Sequence, residues 1–172
     1  MRIAILSDIH DNVWKLVRAL DAIRDTDALI CCGDLCSPFI AHQIGRGYTR
    51  PVHIVFGNND GDPYRITTVA GKYPHLHVHG EFFASEFEGV RVAVNHFDYL
   101  ARPIAASGQF DVVCFGHNHV HEITPVGKTL AINPGSIMGA TFAPDGARTD
   151  TASTFVIYDT AAHEARRFEV TP

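Results

Sequence analysis

Hydrophobic positions in this chain fall into short unbroken runs, each cut off by polar residues. Ile3–Leu6, Leu29–Cys32, Ile54–Phe56, Val92–Val94 and Val112–Phe115 read this way. A strand buried on both faces has this pattern. Between the first runs the period changes. From Asn12 to Arg24, Val13, Leu16, Val17, Leu20 and Ile23 recur at helical spacing behind a cap at Asp11 or Asn12. Ser37-Pro38 opens a second helix that Gly45 or Gly47 ends, and Asp62-Pro63 opens a third that stops at Gly71. Three β-loop-α units predict a largely parallel sheet with right-handed crossovers.

The second half is richer in strands. Leu76–Val78, Phe82–Phe87 and Val90–Val94 are separated by glycine, as in antiparallel hairpins. A helix is predicted over Ala101–Ser107, with Pro103 near its start. Val112–Phe115, His121–Val126, Thr129–Ile132, Thr154–Tyr158 and Ala165–Val170 complete the strands. So many strands predict an α/β (α+β) sandwich: two mixed β-sheets packed face to face and flanked by helices, not one doubly wound sheet. Gly139–Ala152, with Pro144 and Asp145-Gly146, reads as one long irregular loop bordering the site. Residues 1–172 form a single domain.

Composition narrows the function. The chain is 46% hydrophobic and 19% charged, as in an ordinary globular domain. A net charge of −5 argues against general nucleic-acid binding, which needs a basic face. A nucleotide substrate remains compatible, because bound divalent cations reverse the local field. No apolar stretch reaches the ~20 residues that span a bilayer, and no signal-peptide pattern follows Met1-Arg2. Cys31, Cys32, Cys36 and Cys114 make no secreted-type disulfide framework. They read as free thiols in a reducing cytoplasm, the expected location, with Cys36 at most an extra soft metal ligand.

The chemistry lies where the runs stop. They lead into Ser7-Asp8-Ile9-His10, Gly33-Asp34, Gly57-Asn58-Asn59-Asp60, Asn95-His96 and Gly116-His117-Asn118-His119. In open α/β sheets ligands gather beyond the carboxyl ends of the strands. Asp8, His10, Asp34, Asn58, His96, His117 and His119 are therefore predicted to share one rim as metal ligands. Mixed nitrogen and oxygen donors suit Mn, Fe, Ni or Zn, and the imidazoles argue against Ca or Mg. Asp34 has two carboxylate oxygens and can bridge two ions, each keeping open positions for water and substrate. The glycines before Asp34, Asn58 and His117 read as suppliers of a positive φ where strand turns into loop. One such pair alone is a common turn; the joint order is not.

The set Asp8-x-His10, Gly33-Asp34, Gly57-Asn58-x-Asp60, His96 and Gly116-His117-Asn118-His119 resembles the calcineurin-like metallophosphoesterase superfamily. Asn133-Pro134-Gly135-Ser136 resembles the segment that follows in its small bacterial and archaeal branch. The resemblance implies a pair of β-sheets flanked by helices. It implies two divalent ions, Mn first, with Ni, Fe or Zn as alternatives. Asp8, His10, Asp34 and His119 would hold the first; Asp34, Asn58, His96 and His117 the second. A hydroxide from a bridging water would attack phosphorus in line with the leaving oxygen. Asn58 would also donate to a phosphoryl oxygen. The implied partner is a small-molecule phosphate ester, and a homo-oligomer is compatible with the relatives.

Departures from the family pattern refine the substrate. Many members carry His where this chain has Asn59, which cannot act as a general acid. The small branch often has Cys there, and those members resemble phosphodiesterases. The expected reaction is therefore hydrolysis of small or nucleotide-like phosphodiesters whose leaving groups need little protonation. His-Gly-His is common where this chain has His96-Phe97-Asp98. Asp98 is either a substitute acid or a cap on the next helix, and Asp60 orients its neighbours in the loop. Two other functions compete: a phosphomonoesterase or nucleotide pyrophosphatase on the same site, and a non-catalytic interaction module such as the retromer coat subunit of similar fold. Arg148 reads as solvated in preference to clamping phosphate, and His121 as structural. His75, His77 and His79 share one face, read as exposed and polar.

Overall fold

The computed structural model describes residues 1–171, so Pro172, the last residue of the predicted domain, lies outside the described residues. The strands are β1 (Arg2–Leu6), β2 (Ala28–Cys31), β3 (Val52–Ile54), β4 (Leu76–Val78), β5 (Phe82–Phe87), β6 (Val90–Asn95), β7 (Val112–Cys114), β8 (Glu122–Val126), β9 (Thr129–Asn133), β10 (Ala140–Phe142), β11 (Arg148–Asp150), β12 (Thr154–Asp159) and β13 (Glu164–Glu169). The helices are α1 (Val13–Ala22), α2 (Pro38–Gly47), α3 (Pro63–Ala70) and α4 (Asp98–Ala106).

Two mixed sheets form, as expected. One runs β13-β12-β1-β2-β3-β4 and the other β5-β6-β7-β9-β8. In the first, β1 to β4 are mutually parallel, and β12 and β13 extend it antiparallel. In the second, β6, β7 and β9 are parallel, with antiparallel β5 and β8 at the edges.

Alternation along the buried strands builds the layers. Ile3 and Ile5 of β1 meet Val92, Val94, Val112 and Cys114 of the other sheet. Ala4 and Leu6 face the opposite way, against Leu16, Leu20, Ile40 and Ile44 of α1 and α2. Ala93, Val113 and Ala131 pack under Ala101 and Ala105 of α4. With both faces of the central strands β1, β2 and β7 covered by apolar contacts, those runs lack buried polar positions, whereas the edge strands β5, β8 and β13 are largely exposed or half-buried. Asn12 caps α1 by accepting from the Lys15 N–H, and Asp62 caps α3 by accepting from Arg65.

Some expectations are corrected. The fourth helix starts at Asp98, not Ala101, and Pro103 lies inside it. Proline is costly there because it removes a hydrogen bond, and α4 runs only to Ala106. Ser37 occupies the cap position of α2 without capping it, because its hydroxyl donates to Asp11 Oδ1 at 2.6 Å. The third strand is Val52–Ile54, with Val55 and Phe56 already in the loop beyond it. Gly139–Ala152 is not irregular: β10 and β11 pair as a hairpin. Its turn has Gly146 at φ 83°, and Asp145 Oδ1 accepts the Ala147 N–H. Arg148 pairs with Asp150 on the exposed hairpin, in keeping with the solvated reading.

The histidine face is also not as predicted. His77 alone of the three is exposed. His79 packs on Phe83 with ring centroids 4.1 Å apart, and its Nε2 lies 3.0 Å from His53 Nδ1. His53 stacks on Phe83 at 4.6 Å and pairs with His77 across β3 and β4. Burial, then the charges of His79 and His77, push the His53 pKa down from 6.5 to about 4. A histidine with a depressed folded pKa contributes stability that is complete above its unfolded value and lost as pH falls. The window therefore runs from pH 6.5 down to about 4, and that gap is worth at most about 3 kcal/mol. Urea unfolding of His53→Phe across this range should show a shallower acid-side loss of stability than the parent. An identical pH dependence in the two proteins would refute the assignment.

Candidate metal centre

The carboxyl ends of β1, β2, β3, β6 and β7 deliver the predicted donors to one place. Asp8, His10 and His119 offer ligand atoms within 4.8 Å of one another, and so do Asp8, Asp34 and His96. Asn58 Oδ1 lies 3.1 Å from His96 Nε2 and 2.9 Å from His117 Nδ1, which ties in the last two donors. Asp34 Oδ2 sits between the halves, 3.5 Å from His10 Nε2 and 3.4 Å from His96 Nε2. That is where a shared carboxylate belongs. Asp8 also enters both groups, which the sequence reading did not anticipate.

Whether this donor set fits metal ions can be judged from its hydrogen bonds. His96 Nδ1 lies 2.7 Å from the Cys32 carbonyl, an acceptor, so the ring donates there. Its Nε2 then points at two further acceptors, Asn58 Oδ1 and Asp34 Oδ2. His119 repeats the arrangement: Nδ1 donates to the Ala140 carbonyl at 2.6 Å. Its Nε2 faces His10 Nε2 at 3.0 Å and Asp8 Oδ1 at 3.3 Å. More acceptors crowd these Nε2 atoms than one proton can serve, and positive charge between them, from a proton or a cation, favours the arrangement. Spacings of this size are also the edges of a coordination shell with ligand bonds of about 2.0–2.2 Å. The residues fit a pair of divalent cations.

The ionisation preferences have the same origin. Burial alone would raise the Asp8 pKa, but hydrogen bonds from His10 and His119 outweigh it and hold the carboxyl well below its usual range. Burial likewise opposes ionisation of Asp34, and His96 and Asn59 overcome it. His96 and His119 shift upward: burial lowers both, but Asp34 and Asp8 prevail. Asp60 moves the other way, raised by burial against the N–H groups of Gly57 and Cys36.

The loops hold unusual backbone. Asp8 (φ 53°), His10 (46°), Asp34 (56°), His117 (73°) and His119 (60°) are all left-handed. Such strain clusters at functional sites and persists where the surroundings over-determine it. The expected role for the glycines holds only at Gly33, with φ 105°. At Gly57 and Gly116 the need is space. A Cβ at Gly57 would stand 2.8 Å from the Asp34 nitrogen and closer still to its carboxylate, and one at Gly116 would strike Ser7 and Asp8.

What holds the strain is a set of polar braces. Asp60 is buried and accepts from Gly57 N at 2.7 Å, Asp34 N at 3.1 Å and Cys36 N at 3.0 Å. It orients two loops, not only its own. Asn59 N and Nδ2 each donate to an Asp34 oxygen at 2.8 Å. Asp98 does not cap α4; its Oδ2 accepts from Asn118 Nδ2 at 3.4 Å. Cys36 is half-buried, with Sγ 3.5 Å from His10 Nδ1, behind the ligand ring. His121 lies half-buried outside the donor set, and its Nδ1 has no partner among the described residues.

Several contributors were missed. Asn133 Nδ2 donates to Gly116 O at 3.0 Å and Asn118 Oδ1 at 2.9 Å, and Ser136 Oγ donates to Asp8 O at 3.1 Å. Met138 N also donates to Asp8 O. Only the Asn133-Pro134-Gly135-Ser136 motif hinted at these braces. The carbonyls of Cys32 and Ala140 have no signature in a sequence.

Comparison with known proteins agrees with this geometry. A family model described as the calcineurin-like phosphoesterase superfamily domain matches residues 1–163. Phosphodiesterase MJ0936 of Methanocaldococcus jannaschii is 27% identical over 143 residues, 81% of this chain and 86% of that protein. The solved structure of an archaeal phosphodiesterase superposes with a TM-score of 0.86 at 25% identity, covering 98% of this chain and 99% of that one. Vps29 of Entamoeba histolytica, solved with zinc, shares the fold at 16% identity and a TM-score of 0.65, covering 99% of this chain and all (100%) of that one.

Asp60→Ala would leave three backbone donors without an acceptor. It should cost about 3 kcal/mol of unfolding free energy and weaken divalent-cation binding roughly ten- to a hundredfold. Denaturant titration and calorimetry measure the two effects. Unchanged stability would remove Asp60 from its bracing role.

Proposed function

Because the chain belongs to the calcineurin-like phosphoesterase superfamily, we propose that it is a two-metal phosphodiesterase acting on small or nucleotide-like phosphodiesters. The observation that carries this reading is the convergence of imidazole nitrogens on Asp34 Oδ2, with Asn59 committed to the same carboxylate. Asp8, His10, Asp34 and His119 would hold one cation, and Asp34, Asn58, His96 and His117 the other, with manganese the first choice. When bound, such a pair lowers the pKa of a water and neutralises phosphoryl charge.

The protein's own groups supply position and selectivity. Asn58 turns Oδ1 toward His96 and His117, and its Nδ2 has no protein partner among the described residues. That N–H is free to donate to a phosphoryl oxygen, where charge builds as the ester bond breaks. Asn59 spends its amide on Asp34, so it orients the shared carboxylate and brings no proton to the leaving oxygen. Alkyl monoesters, whose alkoxide wants a proton, are poorer substrates on that account than diesters with weakly basic leaving groups. Asp98 acts through Asn118, which lies between His117 and His119, as a positioning residue. Asp60 acts on the backbone of the Asp34 and Gly57 loops. We place the enzyme in the cytoplasm, where its four free cysteines stay reduced.

Hydrolysis of bis(p-nitrophenyl) phosphate with manganese present and with chelator is the direct test. Turnover should require the cation, exceed that on the alkyl monoester glycerol 2-phosphate, and fall by on the order of 10³ or more in Asp34→Asn. A folded, metal-loaded protein with no diester turnover would overturn the reading in favour of an interaction module.

A further inference from the structure

Beside the second half of the centre the surface is aromatic. Phe97 follows the ligand His96 directly, and its ring lies 5.2 Å from that of His117. Tyr99, two residues on and in the first turn of α4, lies 5.4 Å from Phe97 and 6.1 Å from His117. Phe97 is half-buried, which fixes it, whereas Tyr99 is 58% exposed. Phe97 lies in the segment His96-Phe97-Asp98, and Tyr99 follows it directly.

Exposed aromatics are common on this protein, so contact with the donor ring is what separates these two. Trp14, Phe39 and Tyr64 are exposed near the starts of α1, α2 and α3. Phe39 lies against His42, and Trp14 and Tyr64 stack with no aromatic ring among the described residues. Phe142 of the β10–β11 hairpin flanks His119 at 5.8 Å, but as a single ring. Among the described residues, only the Phe97–Tyr99 pair offers two neighbouring rings next to a donor imidazole.

We propose that Phe97 and Tyr99 form a stacking ledge that selects phosphate esters carrying a planar aromatic group, an aryl ring or a nucleobase. This rests on the phosphodiesterase reading and names the substrate class of the same site. A phosphate held between the donors leaves its ester arms within reach of the rim. A planar group laid on the ledge covers the exposed Tyr99 ring, while an alkyl arm leaves it in water. Stacking is tolerant of ring type because every base and aryl group has a π-face.

The test is binding, by calorimetry on manganese-loaded protein, of adenosine 5′-monophosphate, phenyl phosphate and methyl phosphate. Tyr99→Ala should weaken one or both aromatic ligands about tenfold and leave methyl phosphate unchanged. Tyr99→Phe should bind as the parent does, since the ring and not the hydroxyl does the stacking. Tyr99 is largely exposed, so neither variant endangers the fold. Equal weakening of all three ligands, or of none, would overturn the ledge while parent turnover of a diester keeps the phosphodiesterase reading intact. A parent protein that neither binds these phosphates nor cleaves a diester would fail at the earlier step and take the ledge with it.

Discussion

Two carboxylates, four imidazoles and one amide oxygen are pressed together at the ends of five strands. Their nitrogen and oxygen atoms face one another at hydrogen-bond distance. His96 and His119 have already spent their Nδ1 protons on backbone carbonyls. The remaining nitrogens and oxygens therefore need a cation or a proton to coexist. Almost everything else near the rim exists to keep these atoms close despite that repulsion.

Keeping them close costs backbone strain, and the fold offsets it locally. Five of the donors sit at positive φ, in loops that would relax if free. The loop after β1 is hydrogen-bonded along the loop after β2, from Asp8 N to Gly33 O and from His10 N to Asp34 O. Asp60 ties the loop after β3 to the same segment, and residues 133–138 support it from the other sheet. The braces are polar and mostly backbone-directed, and Ile9, Leu35 and Ile137 anchor the same loops in the apolar core beneath them.

Much of the fold was readable because burial on both faces leaves a plain signature. The continuous runs at Ile3–Leu6 and Val112–Phe115 could hardly be anything but interior strands, and β1 and β7 lie there. Helix starts were clear where a side chain does the work, as at Asn12 and Asp62. The reading failed where local rules were overridden. Pro103 suggested a helix start, yet α4 begins five residues earlier. The hairpin at 140–150 escaped notice because exposed strands such as Arg148–Asp150 carry no hydrophobic alternation.

Which residues meet at the rim was legible in the sequence alone, since candidate donors are marked by residue type and by their places at strand ends. What only the tertiary structure decided was how they are held and what stands beside them. Gly57 and Gly116 proved to answer to space and not to φ, Asn59 to Asp34 and not to a leaving group, and Phe97 and Tyr99 to a donor ring. These are contacts between segments far apart in the chain. No local pattern encodes them, because their energy depends on distances that exist only once both sheets have packed.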